Sequence, residues 1–177
     1  AIDIDLVNTA HGLYGLNTNY RVRVDLIELN PTGGAVLSTT QVHTILTNVL
    51  HAEGLTEVGG LLKISYSPSG NVSSRLLGNL DLTGMVSNEI DTAIDLDGLG
   101  ADDSSNTIYA LDRHTNTPFV DFYSLTESPP TASNIGSVSS SFLLTDLVVV
   151  GDHLYAIDLD GSQLVVFNLQ TNETNTV

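Results

Sequence analysis

The stretch DLDGLGADD, Asp95 to Asp103, sets four carboxylates beside two glycines within nine residues. Ca²⁺ takes roughly six to eight hard oxygens from a flexible loop, and Asp alternating with Gly turns can supply them. Asp95, Asp97, Asp102 and Asp103 are therefore the candidate metal ligands. The spacing departs from the EF-hand loop, whose first Asp, third alternating Asp and closing Glu have no counterparts here. An acidic hairpin loop facing water is the other reading of the same residues. The shorter DLDG at Asp158 reads as a turn, because two carboxylates seldom hold Ca²⁺ alone.

The five histidines follow no zinc pattern: His43 and His51 lie eight apart, and no His-Glu-x-x-His occurs. His11 and His153 occupy matching places near the two ends of the chain. They read as turn residues, with a metal or pH-switch role open only if the ends meet. Serine is plentiful, but there is no Gly-x-Ser-x-Gly elbow to anchor a hydrolase triad and no lysine-bearing phosphate loop. Asp5, Glu57, Asp91 and Asp146 are the carboxylates that could serve a channel-centred hydrolase; structural or solvated carboxylates are the competing reading. Asn71 and Asn172 match the N-glycosylation pattern.

Charge narrows the partners. Twenty-one acidic against five basic residues give a formal charge of −16. Phosphate affinity comes from Lys and Arg, so nucleic acid and anionic membrane surfaces are disfavoured. There is no cysteine, hence no disulfide framework and no thiolate chemistry. The apolar run SFLLTDLVVV is interrupted by Thr145 and Asp146 and is too short to span a bilayer. The chain begins at Ala1 with no leader-like segment, the expectation for an exported protein after processing or for a piece cut from a longer one. The expected location is extracytoplasmic.

The elements that would position these residues repeat. DLVNTAHGLYGL at Asp5 and DLVVVGDHLYAI at Asp146 align without a gap at an offset of 141 residues, three times 47. Strand-like segments open at Leu13, Leu61, Ile108 and Leu154, and each is followed by a turn and a second apolar strand. Each is preceded by another apolar piece and followed by a polar-alternating one. Four strands per unit of about 47 residues is the arithmetic of a propeller blade. The expected fold is all-β and β-propeller-like, with four repeats of four antiparallel strands: residues 1–47, 48–89, 90–141 and 142–177. A sandwich or solenoid is the competing arrangement. A blade exposes apolar side chains on both faces, so blades must stack. In QVHTILTNVLH, residues 41–51, Val42, Ile45, Leu46, Val49 and Leu50 fall at helical spacing, which predicts either a short helix or an outer strand with a loop. TNETNTV at the end leaves little for a fourth outer strand, and a neighbouring chain could complete that edge.

Tyr109, Ala110, Leu111, Asp112 and Thr115, with Tyr155, Ala156, Ile157, Asp158 and Gly161 in the last unit, resemble the quinoprotein-type β-propeller repeat. Tyr14 and Leu16 fit it loosely. The repeat's docking tryptophan is missing, with Val120 at about its place. The departures carry no quinone cofactor across. The resemblance implies the non-enzymatic branch of such proteins, which act as scaffolds in envelope and extracellular assemblies. The expected function is thus a non-catalytic binding or scaffold subunit whose partner is another protein or further copies of itself. The alternative is a Ca²⁺-dependent propeller hydrolase or lactonase. A lectin is disfavoured by the absence of tryptophan for sugar stacking.

Overall fold

The computed structural model describes residues 2–9, 11–19, 22–67, 75–113, 119–139 and 144–177, and the side chains from residue 6 onward within them. Among the described residues, sixteen strands fall into four sheets of four. Blade 1 holds β1 (Ile2–Thr9), β2 (Gly12–Asn19), β3 (Arg23–Leu29) and β4 (Val36–Gln41). Blade 2 holds β5 (His51–Val58), β6 (Leu61–Ser67), β7 (Leu76–Leu80) and β8 (Val86–Asp91). Blade 3 holds β9 (Gly98–Asp102), β10 (Thr107–Arg113), β11 (Phe119–Glu127) and β12 (Pro130–Ser139). Blade 4 holds β13 (Leu144–Val150), β14 (His153–Asp158), β15 (Gln163–Asn168) and β16 (Thr174–Thr176). Every sheet is an antiparallel meander in chain order. This is the expected four-blade β-propeller architecture.

Turn chemistry explains the meanders. β5 and β6 are joined by only Gly59 and Gly60, at φ 59° and 75°, so both positions need the left-handed region that suits a two-residue hairpin. The fourth outer strand, which the sequence had seemed too short to supply, is present as the three residues of β16 paired to β15.

The core lies between blades. Inner strands β1 and β5, β5 and β9, and β9 and β13 pack against one another. Leu16 and Leu26 of blade 1 join Leu55 and Ile64 of blade 2. Leu77 of blade 2 joins Leu99 and Ile108 of blade 3. Leu111 and Phe122 of blade 3 join Leu147, Leu154 and Phe167 of blade 4, with the Phe122 and Phe167 rings stacked at 5.0 Å. Val120, near the place of the missing tryptophan, is buried in that last joint. Each blade thus has a leading face toward the next blade and a trailing face toward the one before. Among the described residues, no core cluster joins blade 4 to blade 1.

Residues 42–50 form no helix. The Val42 N–H donates to the Val24 carbonyl, the Val49 N–H to Val42, and the Val24 N–H to Val49. The Thr44 hydroxyl accepts the N–H groups of Leu46 and Thr47 at 3.2 Å each, closing a tight turn. Val42 and Val49 enter the core while Ile45 and Leu46 project into solvent. The helical spacing therefore came from two buried residues flanking a turn, and the loop alternative is the one the backbone adopts.

Candidate functional site

Blades 2 and 3 bring three carboxylates together where their inner strands begin. Glu53 sits at a bulge in β5, between Ala52 and Gly54, a feature that re-aims a side chain. Asp95 and Asp97 lie on the segment crossing from blade 2 to β9. Each of the three offers an oxygen within 4.8 Å of the others. Among the described residues they are the only such group of three.

Arg113, the last residue of β10, holds this group. Its backbone N–H donates to Asp97 Oδ2 at 2.5 Å and its Nη2 to Asp97 Oδ1 at 2.8 Å. The same Nη2 lies 3.6 Å from Glu53 Oε1. On the far side of Glu53, His51 Nε2 is 3.3 Å from Oε2. Burial pushes the Asp97 carboxyl up to about 6; Arg113 opposes that rise and Glu53 adds to it. With one oxygen from each, the three carboxylates supply three of the roughly six to eight oxygens Ca²⁺ takes, so an ion here would need bidentate contacts, carbonyls or water as well. Arg113 already supplies a positive charge to two of the three.

Of the four residues singled out in DLDGLGADD, Asp95 and Asp97 join this cluster, while Asp102 ends β9 at its other end and Asp103 follows it. Asp102 accepts from the Ser104 N–H and hydroxyl and from the Ser105 hydroxyl, which hold its carboxyl below the usual range. Asp103 accepts the Gly59 N–H at 2.7 Å and so ties the blade 3 hairpin to that of blade 2. Asp158 is the buried last residue of β14, and accepts from Gln163 Nε2 across its own hairpin; the turn follows it.

The other candidates are spread out. Asp91 ends the outer strand β8, exposed, accepting the Ala93 N–H at 2.8 Å; it is not an inner-strand residue. Glu57 is on β5, and Asp146 sits at a bulge in β13 accepting the Leu147 N–H. The Asp5 side chain lies outside the described residues, as does Asn71. His11 is exposed in the β1–β2 turn, and His153 is 3.1 Å from the Asn168 amide nitrogen. Asn172 is exposed in the turn before β16.

Glu53, His51 and Arg113 were not singled out from sequence. The signal that could have found them is positional: Arg113 directly follows the YALD strand, and Glu53 precedes a glycine at the matching place in the inner strand before it.

No family model and no curated protein matches the chain. Solved structures do match its fold. Over 93% of this chain it is similar to the nidogen/laminin complex structure, at 12% identity and a TM-score of 0.59, spanning 58% of that chain. Over 96% it is similar to the Dos1 propeller, at 14% identity and a TM-score of 0.56, spanning 46% of that chain. Over 93% it is similar to the PQQ-bound aldose sugar dehydrogenase of Streptomyces coelicolor, at 10% identity and a TM-score of 0.61, spanning 62%. The fold is a β-propeller. At these identities the likeness concerns architecture alone. The chain spans about half to three-fifths of the length of these solved chains.

Proposed function

We propose that this chain is a non-catalytic interaction subunit: a stack of propeller blades whose exposed end face is docked by another polypeptide. The observation that carries this is the leading face of blade 4. The register of each sheet sets Leu26, Leu77, Phe122 and Leu164 at one equivalent position, opposite Leu16, Ser65, Leu111 and Ile157. Leu26, Leu77 and Phe122 are 2%, 1% and 1% exposed because the next blade covers them, whereas Leu164 is 40% exposed. Val148, Val150 and Ile157 are exposed beside it and line a groove of about 410 Å³. Contiguous exposed apolar surface of this kind marks interaction sites in folded proteins. One of the fold neighbours fits the reading, having been solved as a nidogen/laminin complex.

The test is binding of an apolar fluorescent dye in dilute solution. The parent chain should bind it, and Val148→Lys with Ile157→Lys should remove most of that binding without lowering the melting temperature. Unchanged binding in the double variant would overturn the reading.

A second reading, a carboxylate-dependent hydrolase, is favoured by one observation, the elevated Asp97 carboxyl beside Glu53 and Arg113. Its test is a panel of ester and lactone substrates with the parent and Asp97→Asn. Turnover lost in the variant would support it, and no turnover by the parent would overturn it.

A further inference from the structure

We infer that the open leading face of blade 4 is covered by the trailing face of blade 1 from a second copy of this chain, so that two copies close an eight-bladed ring through two identical seams. This rests on the interaction reading above and names its partner.

The chain carries both halves of such a seam. On the trailing face, Leu6, Leu55, Leu99 and Leu147 occupy one equivalent position, opposite Gly15, Ile64, Ala110 and Ala156. Leu55, Leu99 and Leu147 are 2%, 1% and 4% exposed, each covered by the preceding blade. Leu6 is 49% exposed. Among the described residues no blade covers Leu6, just as none covers Leu164. Both ends keep the apolar residues that three internal joints use, although a lone solvent-facing sheet face would favour polar ones.

The internal joints also set the polarity of the contact. Each time, a leading face meets a trailing face: Leu77 against Leu99, and Phe122 against Leu147 and Phe167. A contact continuing that series is head-to-tail, and head-to-tail contacts form a closed ring when the rotation allows it. The four blades overlie 46% to 63% of the solved chains they match, so those chains extend beyond the part that four blades match. Charge does not draw the copies together, since each carries −16, so the seam is held by apolar burial and opposed by long-range repulsion. Added salt should therefore strengthen it.

The experiment is light scattering across a dilution series of the 177-residue chain, with the variants Leu6→Asp and Ile157→Asp. The parent should approach twice 18.8 kDa at high concentration, at lower concentration in high salt than in low. Each variant should raise the dissociation constant by about a hundredfold or more, because each seam then buries an unpaired carboxylate. Both positions are about half exposed in the single chain, so melting temperatures should stay close to the parent's. The near-isosteric Val148→Thr should weaken association more mildly. An equimolar mixture of the two Asp variants should recover dimer, because one of its two seams is then built from unaltered faces. A blade 4-to-blade 4 contact would ignore Leu6→Asp and show no recovery, overturning the head-to-tail seam. A parent that stays monomeric but binds apolar dye would overturn the second copy while leaving the interaction reading standing, the face then belonging to further blades or another protein. A monomer that binds no dye would overturn both.

Discussion

Leu77 and Leu164 are the same side chain at the same blade position, and replacing each with Ala should have different consequences. Leu77 is 1% exposed in the joint between blades 2 and 3, so its removal leaves an enclosed cavity, a change that costs about 3 kcal/mol. Leu164 is two-fifths exposed on an open face. Its loss forfeits only part of the transfer free energy of a leucine and encloses no void, about 1 kcal/mol. The expected gap is therefore ~2 kcal/mol in favour of the blade 4 variant. The assay is denaturant unfolding in dilute solution, where the chains are dissociated, with linear extrapolation to water. At high concentration the Leu164 substitution should instead weaken association. Equal losses at the two positions in dilute solution would refute the reasoning, because they would mean that blade 4's leading face is covered within one chain.

Three further outcomes follow from named contacts. The Asp97 carboxyl is raised to about 6 from 3.8, so the folded state holds a proton that the unfolded chain releases earlier. Its stabilising contribution is full below the unfolded value and is lost as pH rises to about 6. Asp97→Asn should flatten that part of the stability–pH profile, and an unchanged slope would reject the assignment. At Gly54 a Cβ would lie 2.7 Å from Leu99 Cγ and 2.9 Å from the Leu99 backbone nitrogen, so Gly54→Ala should cost about 1–3 kcal/mol in a thermal melt by forcing the inner strands of blades 2 and 3 apart. Because Arg113 already faces Glu53 and Asp97, Ca²⁺ followed by chelator should leave the melting temperature unchanged; a Ca²⁺-dependent rise lost in Asp97→Asn would place an ion in the cluster after all.

The strands were legible because their turns are written in local chemistry. The glycine pair between β5 and β6, and the recurrence of one motif at Asp5 and Asp146, identify hairpins and the repeat without any tertiary knowledge. Residues 42–50 were ambiguous because Val42 and Val49 lie seven apart, which suits two helical turns as well as two arms of a loop. The carboxylates of DLDGLGADD looked like one site because they are close in sequence. The intervening strand β9 is extended, however, and at about 3.3 Å per residue it carries Asp102 roughly 17 Å along the chain from Asp97. Glu53 and Arg113 had only their place in the repeat to mark them, and no ligand or catalytic motif. Glu53 reaches Asp97, 44 positions away, because the inner strand of blade 2 packs against blade 3, and Arg113 reaches it, 16 positions away, because β10 pairs with β9. The open end faces were hidden for the opposite reason: Leu6 and Leu164 look like their buried equivalents in every local respect.

Cysteine cross-linking tests the open arc most directly, because the chain has no cysteine of its own. In the joint between blades 2 and 3, Leu99 packs onto Gly54; Leu6 and Thr145 are the equivalent positions on the two open ends. The double variant Leu6→Cys with Thr145→Cys, oxidised at high concentration and run on a non-reducing gel, should migrate as a covalent dimer that collapses to the single chain on reduction. A disulfide formed within one chain, at the mass of a monomer, would mean that blade 4 meets blade 1 of its own ring and would contradict the account.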